Sequence, residues 1–89
     1  MSDRDLDRLL TGLREELAAA KFADERSRKL AARLLTETDE LAAARAAAKP
    51  VPATLADRLK GAVDHFEATH PALSETMRRI VVALADAGI

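Results

Sequence analysis

Leucines near the start of the chain recur at the spacing of a single helix face. The positions Leu6, Leu10, Leu13 and Leu17 are separated by four, three and four residues. Residues at this spacing lie on one side of an α-helix, as the apolar seam of a coiled coil does. The spacing therefore predicts a first helix over residues 3–21, with one apolar stripe that must be covered.

The leucine pattern does not continue past residue 22. A heptad step from Leu17 places Asp24 in the seam, where a polar side chain interrupts it. Aspartate is also a favoured N-cap residue. We therefore predict a break at residues 22–24, with Asp24 as the N-cap of a second helix. The alternative is one helix over residues 3–48. It would be about 70 Å long and would need a partner chain to cover its stripe.

Two prolines mark the clearest boundary in the chain. Pro50 and Pro52 cannot continue a helix, and a residue before proline favours extended backbone. The second helix is therefore predicted over residues 24–48, and residues 49–54 are predicted to form a short connector. The larger residues of this helix's stripe are Leu30, Leu34 and Leu41.

Two shorter helices are predicted in the C-terminal half. One extends over residues 55–69, after a Thr54–Asp57 pair that resembles a capping box. The other extends over residues 71–87, because proline is favoured at the first helical position and Gly88 suits a left-handed C-cap. No run alternates with a period of two, so no strand is predicted. The predicted fold class is all-α, a single domain over residues 1–89. It has three to four amphipathic helices in a hairpin or bundle, with a coiled-coil-like N-terminal half.

The chain is short and poor in bulky side chains. Folded chains of this size bury only about 60–65% of their unfolded surface, and the only aromatic residues are Phe22 and Phe66. Small scaffolds with thin cores commonly gain stability by oligomerising. We therefore predict a homo-oligomer, most simply a two-fold dimer, which self-associates through its leucine stripes and can take a further protein partner. The predicted core and interface residues are Leu6, Leu10, Leu13, Leu17, Leu30, Leu34, Leu41, Leu59, Phe66, Met77, Ile80, Val81 and Leu84.

The last predicted helix is apolar on more than one face. Val81 and Val82 follow Ile80 directly, and consecutive helical residues point about 100° apart. A surface helix of a monomer needs only one apolar stripe. We therefore expect either that this helix is central or that its extra face contacts another subunit.

Charge is balanced over the chain, with 14 basic and 15 acidic residues and a net charge of −1. Binding to a phosphate backbone needs a concentrated basic surface, so nucleic acid is not favoured as a partner. The densest basic group consists of Lys21, Arg26, Arg28, Lys29 and Arg33. An alternative function is therefore an anion-binding or nucleic-acid-binding accessory protein that uses this group. Against it, Glu25 and Glu37 are spaced to form ion pairs within the same helix.

No arrangement in the sequence indicates an enzyme, a metal or a cofactor. There is no cysteine, and His65 and His70 are five residues apart, whereas paired ligands on one helix face sit three or four apart. His65 is expected at the surface. The hydroxyl residues Ser27, Thr36 and Thr38 have no histidine near them in the sequence, so no activated nucleophile can be argued. We therefore predict a non-enzymatic protein without metal or cofactor.

Apolar stretches in the chain are too short to span a membrane. The longest covers residues 80–85, whereas a bilayer-spanning helix needs about 20 residues. Residues 1–7 are charged and lack the apolar core of a signal peptide. Together these features predict a cytoplasmic protein.

Three stretches of the sequence resemble one protein family. They are residues 1–6, residues 24–28, and a C-terminal set formed by Leu59, Val63, Phe66, Glu67, residues 70–73, Ile80, residues 83–85 and residues 88–89. The whole chain resembles the bacterial family catalogued as domain of unknown function 4404, and the order and spacing of the C-terminal set are the most specific part of the resemblance. Ala87 replaces the methionine expected before the final Gly-Ile. The resemblance implies a short helical protein of the bacterial cytoplasm and no established activity.

Overall fold

The apolar periodicity of the chain produces a bundle of helices. The structure is a computed structural model that describes residues 3–51 and 54–86, apart from the side chain of residue 3. These residues form α1 (Asp3–Ala19), α2 (Glu25–Ala46), α3 (Thr54–Phe66) and α4 (Pro71–Asp86), and they contain no strand. The predicted all-α class is confirmed. The first three helices end two or three residues earlier than expected from periodicity, because end turns carry little apolar pattern.

Residues 20–24 separate α1 from α2, so a single helix over residues 3–48 is excluded. Asp24 has an extended backbone (φ −117°, ψ 158°), and its carboxylate accepts a hydrogen bond from the backbone N–H of Ser27 at 3.3 Å. The first N–H groups of a helix have no helical partner, and a capping side chain supplies one. Asp24 is therefore the N-cap of α2, as the interrupted leucine pattern predicts.

A left-handed residue ends α2. Ala48 has a φ of 56°. The backbone N–H of Lys49 donates to the carbonyl of Ala44 at 2.8 Å, and that of Ala48 donates to the carbonyl of Arg45 at 3.1 Å. These two bonds form a Schellman motif, whose left-handed position is usually glycine. The two prolines predicted that α2 ends near here, but alanine gives no sequence signal for a positive φ, so the Schellman motif itself could not be predicted from the residues.

The start of α3 differs from its prediction. Thr54 is the first helical residue rather than the residue before the helix. The capping box predicted with Thr54 as its N-cap is therefore wrong, and the residue that precedes α3 lies outside the described residues. The C-cap predicted at Gly88 also lies outside them.

The turn between α3 and α4 is held by hydrogen bonds to the end of α3. Pro71 is the first residue of α4, as predicted. The backbone N–H of His70 donates to the carbonyl of Phe66 at 2.7 Å, and the buried Ser74 hydroxyl donates to the carbonyl of Val63 at 2.8 Å. Carbonyls in the last turn of a helix have no helical partner, so these bonds replace the missing ones.

The helices pack in the spatial order α2–α1–α4–α3. The contacts between α2 and α3 are the sparsest of the four helix pairs that touch, and the bundle measures 36 × 21 × 19 Å. Because α1 packs against both α2 and α4, its leucine stripe belongs to a bundle core rather than to a two-helix seam. The buried apolar residues are Leu6, Leu10, Leu13, Leu17, Ala31, Leu34, Leu41, Leu55, Leu59, Ala62, Val63, Phe66, Leu73, Met77, Ile80, Ala83 and Leu84.

Candidate interaction surface

The leucine stripes lie inside the chain's own bundle. Leu13 of α1 and Leu34 of α2 are at most 1% exposed. Of the residues predicted for the core and interface, only Leu30 and Val81 are partly rather than fully buried. The prediction that these stripes form the surface for self-association is therefore corrected. Four short helices cover them, because neighbouring helices share each stripe.

The extra apolar face of α4 is the part that stays exposed. Val82 is 49% exposed and is the one large apolar side chain with high exposure among the described residues. Beside it lies Leu9 of α1, which is only partly buried. These two side chains lie in an open groove of about 600 Å³ between α1 and α4, which we call the Val82 groove. Its lining residues are Asp5, Arg8, Leu9, Glu75, Arg78, Arg79 and Val82.

Charged side chains of both signs surround the apolar centre of the Val82 groove. The Glu75 carboxylate pairs with Arg78 at 2.7 Å and with Arg79 at 3.3 Å, both on α4. Arg78 also lies 3.8 Å from the Glu67 carboxylate. These side chains are about half exposed, and exposed ion pairs contribute little to stability. They can therefore exchange partners at low cost when another surface approaches.

The basic group near the start of α2 forms fewer ion pairs than expected. Arg28 pairs with Glu25 at 3.0 Å, as its spacing suggests. Glu37, however, pairs with Arg58 of α3 and not with Arg33. The hypothesis of a face neutralised by intrahelical pairs is therefore correct only at Arg28.

The cations of α2 that remain form a row along one helix face. Arg26, Lys29 and Arg33 are exposed, and none of them forms an ion pair with a described residue. Their spacing of three and four residues places them on one side of α2. Lys21 is also exposed and lies before α2, where its carbonyl bonds to the side chain of His70 at 2.8 Å.

A serine–histidine contact joins α2 to α3, although the two residues are far apart in the sequence. The Ser27 hydroxyl lies 2.9 Å from Nε2 of His65. The Ser27 hydroxyl donates a hydrogen bond to the Asp24 carboxylate, and the backbone N–H of Ser27 adds a second one. These two bonds hold the pKa of Asp24 below its ordinary value. His65 lies beside Phe66, with its ring edge-on to that of Phe66 at 4.8 Å, and it is half-buried rather than fully exposed at the surface. Ser27 and His65 are 38 positions apart in the sequence, so no local pattern indicates this contact.

The order of these three side chains does not suit nucleophilic catalysis. An activated serine bonds to a histidine that the acid orients from its other side. Here Ser27 lies between Asp24 and His65, and Ser27 is only 9% exposed. A substrate carbonyl could not approach a hydroxyl buried in this way. The arrangement instead caps α2 and ties it to α3.

The second histidine belongs to an aromatic cluster at the same end of the bundle. The ring of Phe22 lies 5.3 Å from that of Phe66 and 4.7 Å from that of His70. Nε2 of His70 bonds to the carbonyl of Lys21, so the α1–α2 loop is joined to the α3–α4 turn. Within residues 3–51 and 54–86, no group of three His, Asp or Glu side chains could hold a metal ion.

Comparison with known proteins identifies a family and no closer relative. None of the four described helices is long and apolar enough to cross a bilayer. No curated protein and no solved structure matches the chain. The sequence model of one family, described as Domain of unknown function (DUF4404), matches residues 6–89. The match covers α1 from its first buried leucine to the end of the chain, so the protein belongs to the DUF4404 family.

Proposed function

We propose that this protein is a non-enzymatic helical interaction protein that self-associates through the Val82 groove. The observation that supports this proposal is the exposure of Val82 beside Leu9 on a bundle whose other large apolar residues, where described, are buried or partly buried. An exposed apolar centre with a polar rim is typical of protein interaction surfaces. We also propose a cytoplasmic location, with which the absence of cysteine is consistent.

The charges of the Val82 groove favour a second copy of the chain as its partner. A two-fold interface places the same surface on both subunits, so it must be complementary to itself. The groove has acidic Glu75 beside basic Arg78 and Arg79, which supplies both signs around one apolar centre. Two copies related by a two-fold axis can therefore pair Glu75 of each with an arginine of the other. The apolar centre is small, so we expect a weak dimer.

Sedimentation equilibrium of wild type and of two α4 variants tests self-association. We expect wild type to dimerise with a Kd between about 10 µM and 1 mM. Val82→Glu should raise the Kd at least about tenfold, because it places a carboxylate in the apolar centre next to Glu75. Ala85→Glu is the matched control, since Ala85 is exposed on the same helix and does not line the groove.

Two outcomes would contradict this function. One is a wild-type protein that stays monomeric up to about 1 mM, because a dimer weaker than this has no useful affinity. The other is a Val82→Glu variant that dimerises as tightly as the Ala85→Glu control. In that case another face of the bundle would carry the association.

A second candidate function is anion binding by the row of Arg26, Lys29 and Arg33 on α2. The observation that favours it is the lack of ion pairs at these three side chains among the described residues. If all three contact phosphates of a random DNA duplex, log K should fall with log salt with a slope of about −2.7. A triple glutamine variant at these positions should abolish binding, whereas Lys60→Gln should not. Absence of binding by wild type at low salt would exclude this function.

A further inference from the structure

A glycine interrupts the row of side chains on the side of α1 that faces α4. Leu9 lines the Val82 groove, and Glu16 accepts a hydrogen bond from the Thr76 hydroxyl of α4 at 2.7 Å. Gly12 lies three residues after Leu9 and four before Glu16, so all three are on one side of α1. This side of the helix therefore has no side chain at Gly12, and we call the resulting gap the Gly12 notch.

The notch lies near the middle of the Val82 groove. Leu9 shares the groove with Val82, and the hydrogen bond that Glu16 accepts lies further along α1 but earlier along α4, so the two helices run in opposite directions. Counting along both helices puts Gly12 at about the level of Arg79. Arg79 lies on α4 between Val82 and the other lining residues of that helix. A helix that enters the groove would therefore pass over Gly12.

The packing of the chain itself does not require glycine at this position. Apart from the backbone of α1 and the two neighbouring residues, a Cβ atom placed on Gly12 would have Oε1 of Glu16 as its nearest described atom, at 4.0 Å. This is an ordinary van der Waals distance. Glycine inside a helix is also less favourable than alanine. Gly12 is half-buried, so the notch leaves the α1 backbone partly accessible without stabilising the chain.

The other described glycine also has open space beside it, but in a different place. A Cβ atom placed on Gly61 of α3 would have no described atom of another part of the fold within 4 Å. Gly61 is exposed, and it does not line the Val82 groove. Open space at a helical glycine is therefore not a contact site in itself. At Gly12 the space coincides with a groove whose apolar centre is exposed.

Building on the proposed self-association, we propose that the second copy makes its closest approach to α1 at the Gly12 notch. The element that enters is α4 of the second copy, because α4 carries the exposed Val82. The distance between packed helices depends on the side chains at their contact, and glycine allows a close approach to the backbone. A two-fold interface repeats this contact, with α1 of each copy against α4 of the other. The notch thus sets how deeply the two copies pack and how much of Leu9 and Val82 they bury.

Matched substitutions at the two glycines test the Gly12 notch. At about 2 µM protein, where the weak dimer is dissociated, Gly12→Ala and Gly61→Ala should each raise the urea midpoint by about 0.5 M, because alanine favours the helix. In sedimentation equilibrium, Gly12→Ala should raise the dimer Kd about fivefold and Gly12→Gln at least about twentyfold, because both fill the notch. Gly61→Ala and Gly61→Gln should leave the Kd within about twofold of wild type. A Gly12→Ala variant that is more stable but dimerises less tightly would support the notch.

The outcomes separate the notch from self-association itself. A wild-type protein that stays monomeric up to about 1 mM would overturn both proposals. If wild type dimerises and Val82→Glu weakens the dimer, but Gly12→Gln dimerises as tightly as Gly61→Gln, the groove is the interface and the notch is not part of it. Tighter dimerisation of Gly12→Gln than of wild type would also overturn the notch, because a side chain there would add contact rather than block it.

Discussion

The two sides of the bundle are joined by different kinds of contact. Around α4, where α1 and α3 pack, the structure buries large apolar side chains such as Leu13, Met77 and Ile80 completely. Between α2 and α3 the packing is sparse, and the polar contacts that cross between described residues are Ser27–His65 and the ion pair Glu37–Arg58. Apolar burial supplies most of the folding free energy, whereas polar bridges mainly fix orientation. We infer that most of the folding free energy comes from the packing around α4, and that the α2–α3 side can open at lower cost.

A large truncation in the apolar region should give the largest effect. Leu13→Ala removes a side chain that is fully buried between helices. Such changes cost about 2–5 kcal/mol, because they lose burial and leave a cavity. Urea unfolding monitored by circular dichroism measures the difference. A loss below about 1 kcal/mol would mean that this side of the bundle is not tightly packed.

Removing the bridge between α2 and α3 should cost much less. Ser27→Ala and His65→Ala should each lower the free energy of unfolding by about 1 kcal/mol, the usual net contribution of one hydrogen bond. The double variant should cost less than the sum, because both single changes remove the same contact. Strict additivity in this double-mutant cycle would show that the two side chains do not interact in solution.

A stabilising substitution is expected at the end of α2, next to the sparse contact between α2 and α3. Ala48→Gly should raise the free energy of unfolding by about 1 kcal/mol, since an L residue in the left-handed region is strained and glycine is not. Ala47→Gly is a matched control at the neighbouring residue, which has a negative φ of −90° and should not gain from the change. Destabilisation by Ala48→Gly would indicate that α2 does not end in a Schellman motif.

The smallest expected effect is on the pH dependence of stability, to which Asp24, the N-cap of α2, contributes. The folded pKa of Asp24 lies below its ordinary value because Ser27 donates to the carboxylate. Asp24 therefore stabilises the fold above about pH 4, and this stabilisation is lost as pH falls through the lower folded pKa. Asp24→Asn should reduce the difference in urea midpoint between neutral and acidic pH relative to wild type. An unchanged difference would contradict this role.

The contrast between the two sides also explains what the sequence could reveal. The leucine spacing correctly indicated which helix faces are buried. Asp24, a polar residue at a position where the leucine pattern required an apolar one, correctly indicated the break between α1 and α2. Periodicity could not tell whether a stripe is covered by the same chain or by another, and the stripes proved to be internal. The bridges Ser27–His65 and Glu37–Arg58 join residues 38 and 21 positions apart, which no local pattern reports. The sequence indicated the exposure of Val82 only indirectly, through a last helix that is apolar on more than one face.

The central claim is that the leucine stripes form the core of one chain, with association confined to the Val82 groove. The most direct test is the urea midpoint of Val82→Glu at two protein concentrations, about 2 µM and about 500 µM. If the stripes needed a partner chain, this range would add about 3 kcal/mol of stability and raise the midpoint by at least about 1 M. We predict the same midpoint at both concentrations, and a rise of that size would contradict the account.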